Sequence, residues 1–127
     1  MSDAVKQVIV IRRDLRMRRG KEIAQGAHAA MAFLTRRLTW TDGETEARLT
    51  TSPAEFAWLT SSFRKVTLQV ASEEELLDIH ARAEAAGLVV HVITDSGLTE
   101  FGGVPTRTCL AIGPDYDDRI DPVTGDL

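Results

Sequence analysis

The chain has 127 residues and a mass of 14.0 kDa, enough for one domain that buries about two-thirds of its unfolded surface without staples. A hydrophobic fraction of 43%, a charged fraction of 27% and one cysteine, Cys109, exclude a disordered tail, a disulfide framework and a cysteine-built zinc site. The net charge of −4 hides a split, with nine Lys/Arg against three Asp/Glu in residues 1–37 and six against sixteen in residues 38–127.

Val5 to Arg12 (VKQVIVIR) is dominated by β-branched residues and predicts a central strand. Six cations follow within ten residues: Arg12, Arg13, Arg16, Arg18, Arg19 and Lys21. Such a run in an acidic protein is either a solvated loop or a local anion site. Gly20 to Leu34 is proline-free, with five alanines between Ala24 and Ala32, and predicts a helix that approaches a sheet closely. Residues 39–52 form a polar surface excursion, with a short helix expected near Glu44–Leu49. Ser52-Pro53-Ala54-Glu55 is a capping box with proline at the first helical position, opening a helix to about Ser62.

Lys65 to Ala71 alternates as a strand, and Ser72-Glu73-Glu74-Glu75 caps a helix that buries Leu76, Ile79 and either His80 or Ala83. Gly87 ends it. Leu88 to Thr94 predicts a third strand, and Thr106 to Ile112, closed by Gly113-Pro114, a fourth. The order β-α-α-β-α-β-β makes an α/β sandwich: a four-stranded mixed sheet flanked by helices, in a single domain over 1–127. Helical crossovers imply parallel pairing of strands one with two and two with three. The short loop before strand four makes that strand antiparallel.

Sites in open α/β sheets gather at the carboxyl ends of strands. That edge collects Arg12–Gly20 and the segment that begins at Asp95 and contains Thr99 and Glu100. On the first helix Lys21, Gln25 and His28 lie within about 60° of one another. Taken singly, they are the end of a basic loop, a solvated amide and a half-buried histidine; aligned, they line a cleft. The three histidines lack metal-ligand spacing, so no metal is expected. No apolar run approaches the about 20 residues of a membrane span, so no membrane partner is expected. The opening Met1-Ser2-Asp3-Ala4 lacks a signal-peptide pattern, and the expected compartment is the cytosol.

Lys6–Ala30 (KQVIVIRRDLRMRRGKEIAQGAHAA) closely resembles the opening of the archaeal/eukaryotic-type peptidyl-tRNA hydrolases. The likeness resumes at Lys65–Gly87, at Ile93-Thr94-Asp95-Ser96-Gly97, at Thr106-x-Thr108, at Leu110–Pro114 and at Ile120–Gly125. The resemblance implies an enzyme, without cofactor, that cleaves the ester between a peptide and tRNA, with peptidyl-tRNA as partner and a homodimer as assembly. Carried over by position, its site residues are Lys21, Gln25, His28, Asp95, Thr99 and Thr108. The arginines 12, 13, 16, 18 and 19 would then bind tRNA phosphates. Leu98 stands where the family pattern has arginine, and Glu100 where it has glutamine, so the loop carries less positive charge. Alternative readings on the same fold are a hydrolase of a smaller ester or amide and a non-catalytic binding module.

Overall fold

The structure, a computed structural model, describes residues 3–127; Met1-Ser2, part of the opening read above for a signal peptide, lie outside the described residues. In chain order it comprises β1 (Val5–Arg12), α1 (Arg19–Thr35), α2 (Pro53–Leu59), β2 (Lys65–Val70), α3 (Glu73–Ala85), β3 (Val90–Asp95), β4 (Thr106–Tyr116) and α4 (Asp117–Thr124). The strands form one mixed sheet in the order β2-β1-β4-β3. β1 pairs parallel with β2 and antiparallel with β4, and β4 pairs antiparallel with β3.

Alternation along β1 splits the core between two faces. Val8 and Val10 pack with Leu76, Ile79 and Ala83 of α3 and with Ile120 and Val123 of α4. Ile9 and Ile11 point the other way, onto Ala29 of α1. Further along that face Val5 meets Phe33 of α1 and Ala54 and Trp58 of α2. The small side chains Ala29 and Ala32 are what α1 turns toward the sheet, and they let its backbone lie close. Leu76, Ile79 and Ala83 resolve the choice left open on α3: Ala83 is buried and His80 only half-buried.

Four expectations are corrected. Strands two and three do not pair, because β4 lies between β1 and β3 and puts β2 and β3 at opposite edges. Burial explains this: Thr108 to Asp115 of β4 are all buried, whereas β3 is only half-buried, as suits an edge. Second, Gly113-Pro114 does not close the strand. It forms a bulge opposite Gln7, and β4 runs on to Tyr116. Gly113 has φ +87°, and a Cβ there would stand 2.8 Å from the Asp115 nitrogen, so only glycine fits the bulge. Third, Glu44–Leu49 is not helical. The excursion closes through paired main-chain hydrogen bonds between Thr39 and Arg48 instead, as a segment without an apolar stripe to bury would. Fourth, the sequence reading missed α4, whose Ile120 and Val123 complete the α3 face.

The first capping box is complete: Ser52 accepts from the Glu55 main chain and Glu55 accepts from that of Ser52. At α3 Ser72 caps the same way, but Glu75 reaches back to the Ala71 main chain instead. Among the described residues no helix is long and apolar enough to cross a membrane.

Candidate active site

The carboxyl ends of β1 and β3 and the amino end of β4 meet the start of α1. There Lys21, in the first turn of α1, places its Nζ 2.7 Å from Asp95 Oδ1 and 2.8 Å from Thr99 Oγ1. Asp95 is the last residue of β3, and its Oδ2 accepts the Gly97 main-chain N–H at 2.8 Å. One turn along α1, Gln25 donates from Nε2 to Asp95 Oδ1 at 3.2 Å. Its Oε1 accepts the Thr108 hydroxyl at 2.5 Å, and its main-chain carbonyl accepts the Cys109 thiol at 3.3 Å. A continuous chain of hydrogen bonds thus runs Thr108–Gln25–Asp95–Lys21–Thr99, from the sheet interior to the rim.

Burial sorts these groups. Gln25 and Thr108 are buried, whereas the side chains of Lys21 and Asp95 retain 16% and 11% of their exposure, so the ion pair is shielded yet reachable. The Lys21 hydrogen bond holds the Asp95 carboxyl below the usual carboxylate range, against the opposing effect of burial. The Phe101 ring lies 6.0 Å from the Lys21 nitrogen and packs on the sheet cluster beneath α1. The positive end of the α1 dipole adds to the Lys21 charge, so an anion forming here meets two favourable fields.

The loop that carries Asp95, Thr99 and Phe101 is closed at its base by Gly97. Its carbonyl accepts the main-chain N–H groups of Phe101 and Gly103, at 3.3 and 2.8 Å. Gly97 has φ +83°, and a Cβ on it would stand 2.0 Å from the Val104 carbonyl oxygen. Sequence reading missed the roles of Gly97 and Phe101. The Ser-Gly turn signal after Asp95 marks only the first of them.

The structure brings together Lys21, Gln25, Asp95, Thr99 and Thr108. It leaves His28 exposed on α1, hydrogen bonded to none of these groups among the described residues. Arg13, Arg16 and Arg18, on the loop between β1 and α1, and Arg19, the first residue of α1, are exposed beside the cluster. Arg12 differs from them, because it turns inward and is only 8% exposed. Its guanidinium bonds both Asp14 oxygens, at 3.0 and 2.7 Å, and the Arg107 carbonyl at 3.0 Å, with Glu73 at 3.4 Å. These acceptors take up four of its five N–H donors. Cys109 is a buried thiol whose pKa burial pushes up to about 11, which leaves it protonated and inert. Among the described residues no cluster of His, Cys, Asp and Glu is arranged to hold a metal ion.

The fold is thus an α/β sandwich that places a lysine–carboxylate pair at the carboxyl edge of its sheet, next to an arginine-rich segment. The family model for peptidyl-tRNA hydrolase PTH2 matches residues 5–127, and the chain belongs to that family. It is 43% identical over 122 residues to the peptidyl-tRNA hydrolase of Methanopyrus kandleri, covering 96% of this chain and 95% of that one. To the peptidyl-tRNA hydrolase of Methanocaldococcus jannaschii it is 40% identical over 124 residues, covering 97% of each. The Nanoarchaeum equitans protein of the same name is 39% identical over 123 residues, covering 97% of this chain and 96% of that one.

Proposed function

We propose that this chain hydrolyses the ester linking a peptide to tRNA, releasing both, with Lys21 and Asp95 at the centre of the reaction. The observation that carries the reading is the shielded 2.7 Å Lys21–Asp95 pair beside the exposed arginines of residues 13–19. An ester hydrolase needs a positioned water and a donor for the oxyanion that forms when water attacks the carbonyl. Lys21, backed by the α1 dipole, supplies the positive donor. Asp95, held ionised by Lys21, is a weak base; its work is to hold the ammonium in place and to accept a hydrogen bond from the attacking water. Gln25, itself fixed by Thr108, sets the angle of the Asp95 carboxylate, and Thr99 fixes the other side of Lys21. His28, at the exposed end of the same stripe, contributes a polar wall rather than a member of the hydrogen-bonded chain.

Arg13, Arg16, Arg18 and Arg19 are assigned to tRNA phosphates. The same reading includes a homodimer and work alongside translation in the cytoplasm. For the dimer, the supporting surface is an open apolar groove of about 480 Å³ along the other flank of α1, where Ile23, Met31 and Phe63 are exposed. Light scattering on the purified chain tests the dimer, and a monomer at micromolar concentration removes it. For the reaction, the experiment is hydrolysis of N-blocked aminoacyl-tRNA, with the free N-blocked amino-acid ester as control. Turnover of the tRNA ester supports the reading. Turnover of the free ester alone favours a small-ester hydrolase, and tRNA binding without turnover favours a binding module.

A further inference from the structure

The N-terminus of α1 carries no capping side chain of its own, since its cap residue Arg18 makes no such bond. Its anion comes from elsewhere in the chain. Glu100, on the loop after β3, places Oε2 3.4 Å from the Arg18 main-chain nitrogen and Oε1 3.8 Å from the Arg18 Nε. The Glu100 side chain is 17% exposed, whereas that of Arg18 is 90% exposed. A carboxylate enclosed between two loops therefore sits where a helix N-terminus and an arginine would otherwise receive an external anion. The side-chain contact is long and its cation is in water, so a polyanion can compete for it.

We propose that Glu100 is a specificity-determining residue: an internal anion that occupies Arg18 and the α1 N-terminus and that a substrate phosphate must displace. The proposal rests on the reading of the chain as acting on peptidyl-tRNA. Displacement separates ligands by charge, because a polyanion that also engages Arg13, Arg16 and Arg19 drives the exchange and a ligand with one weak charge does not. It also alters the salt dependence. Where a phosphate replaces an internal carboxylate, the freed carboxylate recruits a cation from solution, which offsets one counterion released from the RNA.

The test is Glu100→Gln, which keeps an oxygen acceptor for the Arg18 main chain and removes the charge. Binding of deacylated tRNA is measured across a salt series, with steady-state hydrolysis of N-blocked aminoacyl-tRNA beside it. At low salt Kd and KM should fall about three- to tenfold, the scale of one screened charge at close range, with kcat within about twofold of the parent value. The slope of log K against log salt should steepen by up to about 0.9. In an Arg18→Ala background the same change should have a much smaller effect. A carboxylate that only ties two loops together would leave the slope unmoved, and weaker tRNA binding or an unchanged slope in Glu100→Gln overturns the proposal. If the parent chain turns over peptidyl-tRNA and the variant does not respond, only this proposal fails. If the parent neither binds tRNA nor cleaves the ester, the functional reading fails and the proposal falls with it.

Discussion

Lys21 and Asp95 are 74 positions apart in sequence and 2.7 Å apart in space. The contact exists because β1 and β3 run in the same direction, so the start of α1 and the end of β3 reach the same edge of the sheet. Replacing either partner should leave the fold intact, since both lie at the rim and outside the three core clusters. Lys21→Ala and Asp95→Ala should each lower kcat about 10²-fold or more, the scale of an oxyanion donor or a positioned acid-base group. The check is single-turnover hydrolysis together with circular dichroism, and near-parental rates in folded variants would remove both residues from the mechanism.

The exposed arginines should bind phosphate without reading bases. Replacing Arg18 and Arg19 together by alanine should weaken tRNA binding and flatten the slope of log K against log salt by up to about 2. Arg12→Ala should behave differently. It removes the guanidinium that joins Asp14, Glu73 and the Arg107 carbonyl, so it should lower the melting temperature and leave that slope nearly unchanged. Equal slopes for the double variant and the parent would make the run a solvated loop.

The acid limb of activity follows from Asp95, whose folded pKa lies below its ordinary value because Lys21 stabilises the charged form. The resulting stabilisation is fully present above the unfolded pKa, about 4 for an aspartate, and is lost only as pH falls through the lower folded value. Activity should therefore persist through the ordinary carboxylate range and decline below it. NMR titration of the Asp95 carboxyl reads this directly. Lys21→Met should move its midpoint upward, and a parental midpoint above about 4 would contradict the geometry.

Thr108 is expected to act through Gln25. Thr108→Val leaves the buried Gln25 Oε1 without its donor, a loss of about 1–3 kcal/mol of stability. The rate should fall less than in the Asp95 variants, because Lys21 still holds the carboxylate. Thr108→Ser keeps the hydroxyl and should recover most of both quantities. Urea denaturation and kcat are the measurements; a valine variant as stable as the parent would mean that Gln25 finds another donor.

Much of this was legible in the chain because it is local. The β-branched run Val5–Arg12, the alanine-rich α1 and the two Ser-x-x-Glu boxes each encode their element within a few residues. The alignment of Lys21 with Gln25 follows from helix geometry alone. Strand order was not legible, since it turns on which strand is buried on both faces, a comparison across the whole chain. Thr108 shows the cost: its hydroxyl reaches Gln25 only because β4 is central, so its partner could not be read from spacing. Arg12 is the converse case. Its neighbours in sequence are surface cations, but the alternation of β1 turns it toward Glu73 and the Arg107 carbonyl.

Gly97 makes the loop after β3 modular. With its N–H on Asp95 and its carbonyl tying Phe101 and Gly103, the backbone from 97 to 104 forms a closed ring on a fixed mount. Leu98 and Glu100 ride on that ring like interchangeable fittings on either side of Thr99, with Leu98 82% exposed. Their chemistry can be exchanged without reshaping the frame that holds Asp95. A side chain at 97 has no such freedom, because it collides with the Val104 carbonyl and opens the ring at its clasp. The loop thus has a built-in division of labour, in which one glycine preserves the backbone geometry, Thr99 holds Lys21, and positions 98 and 100 are open to change.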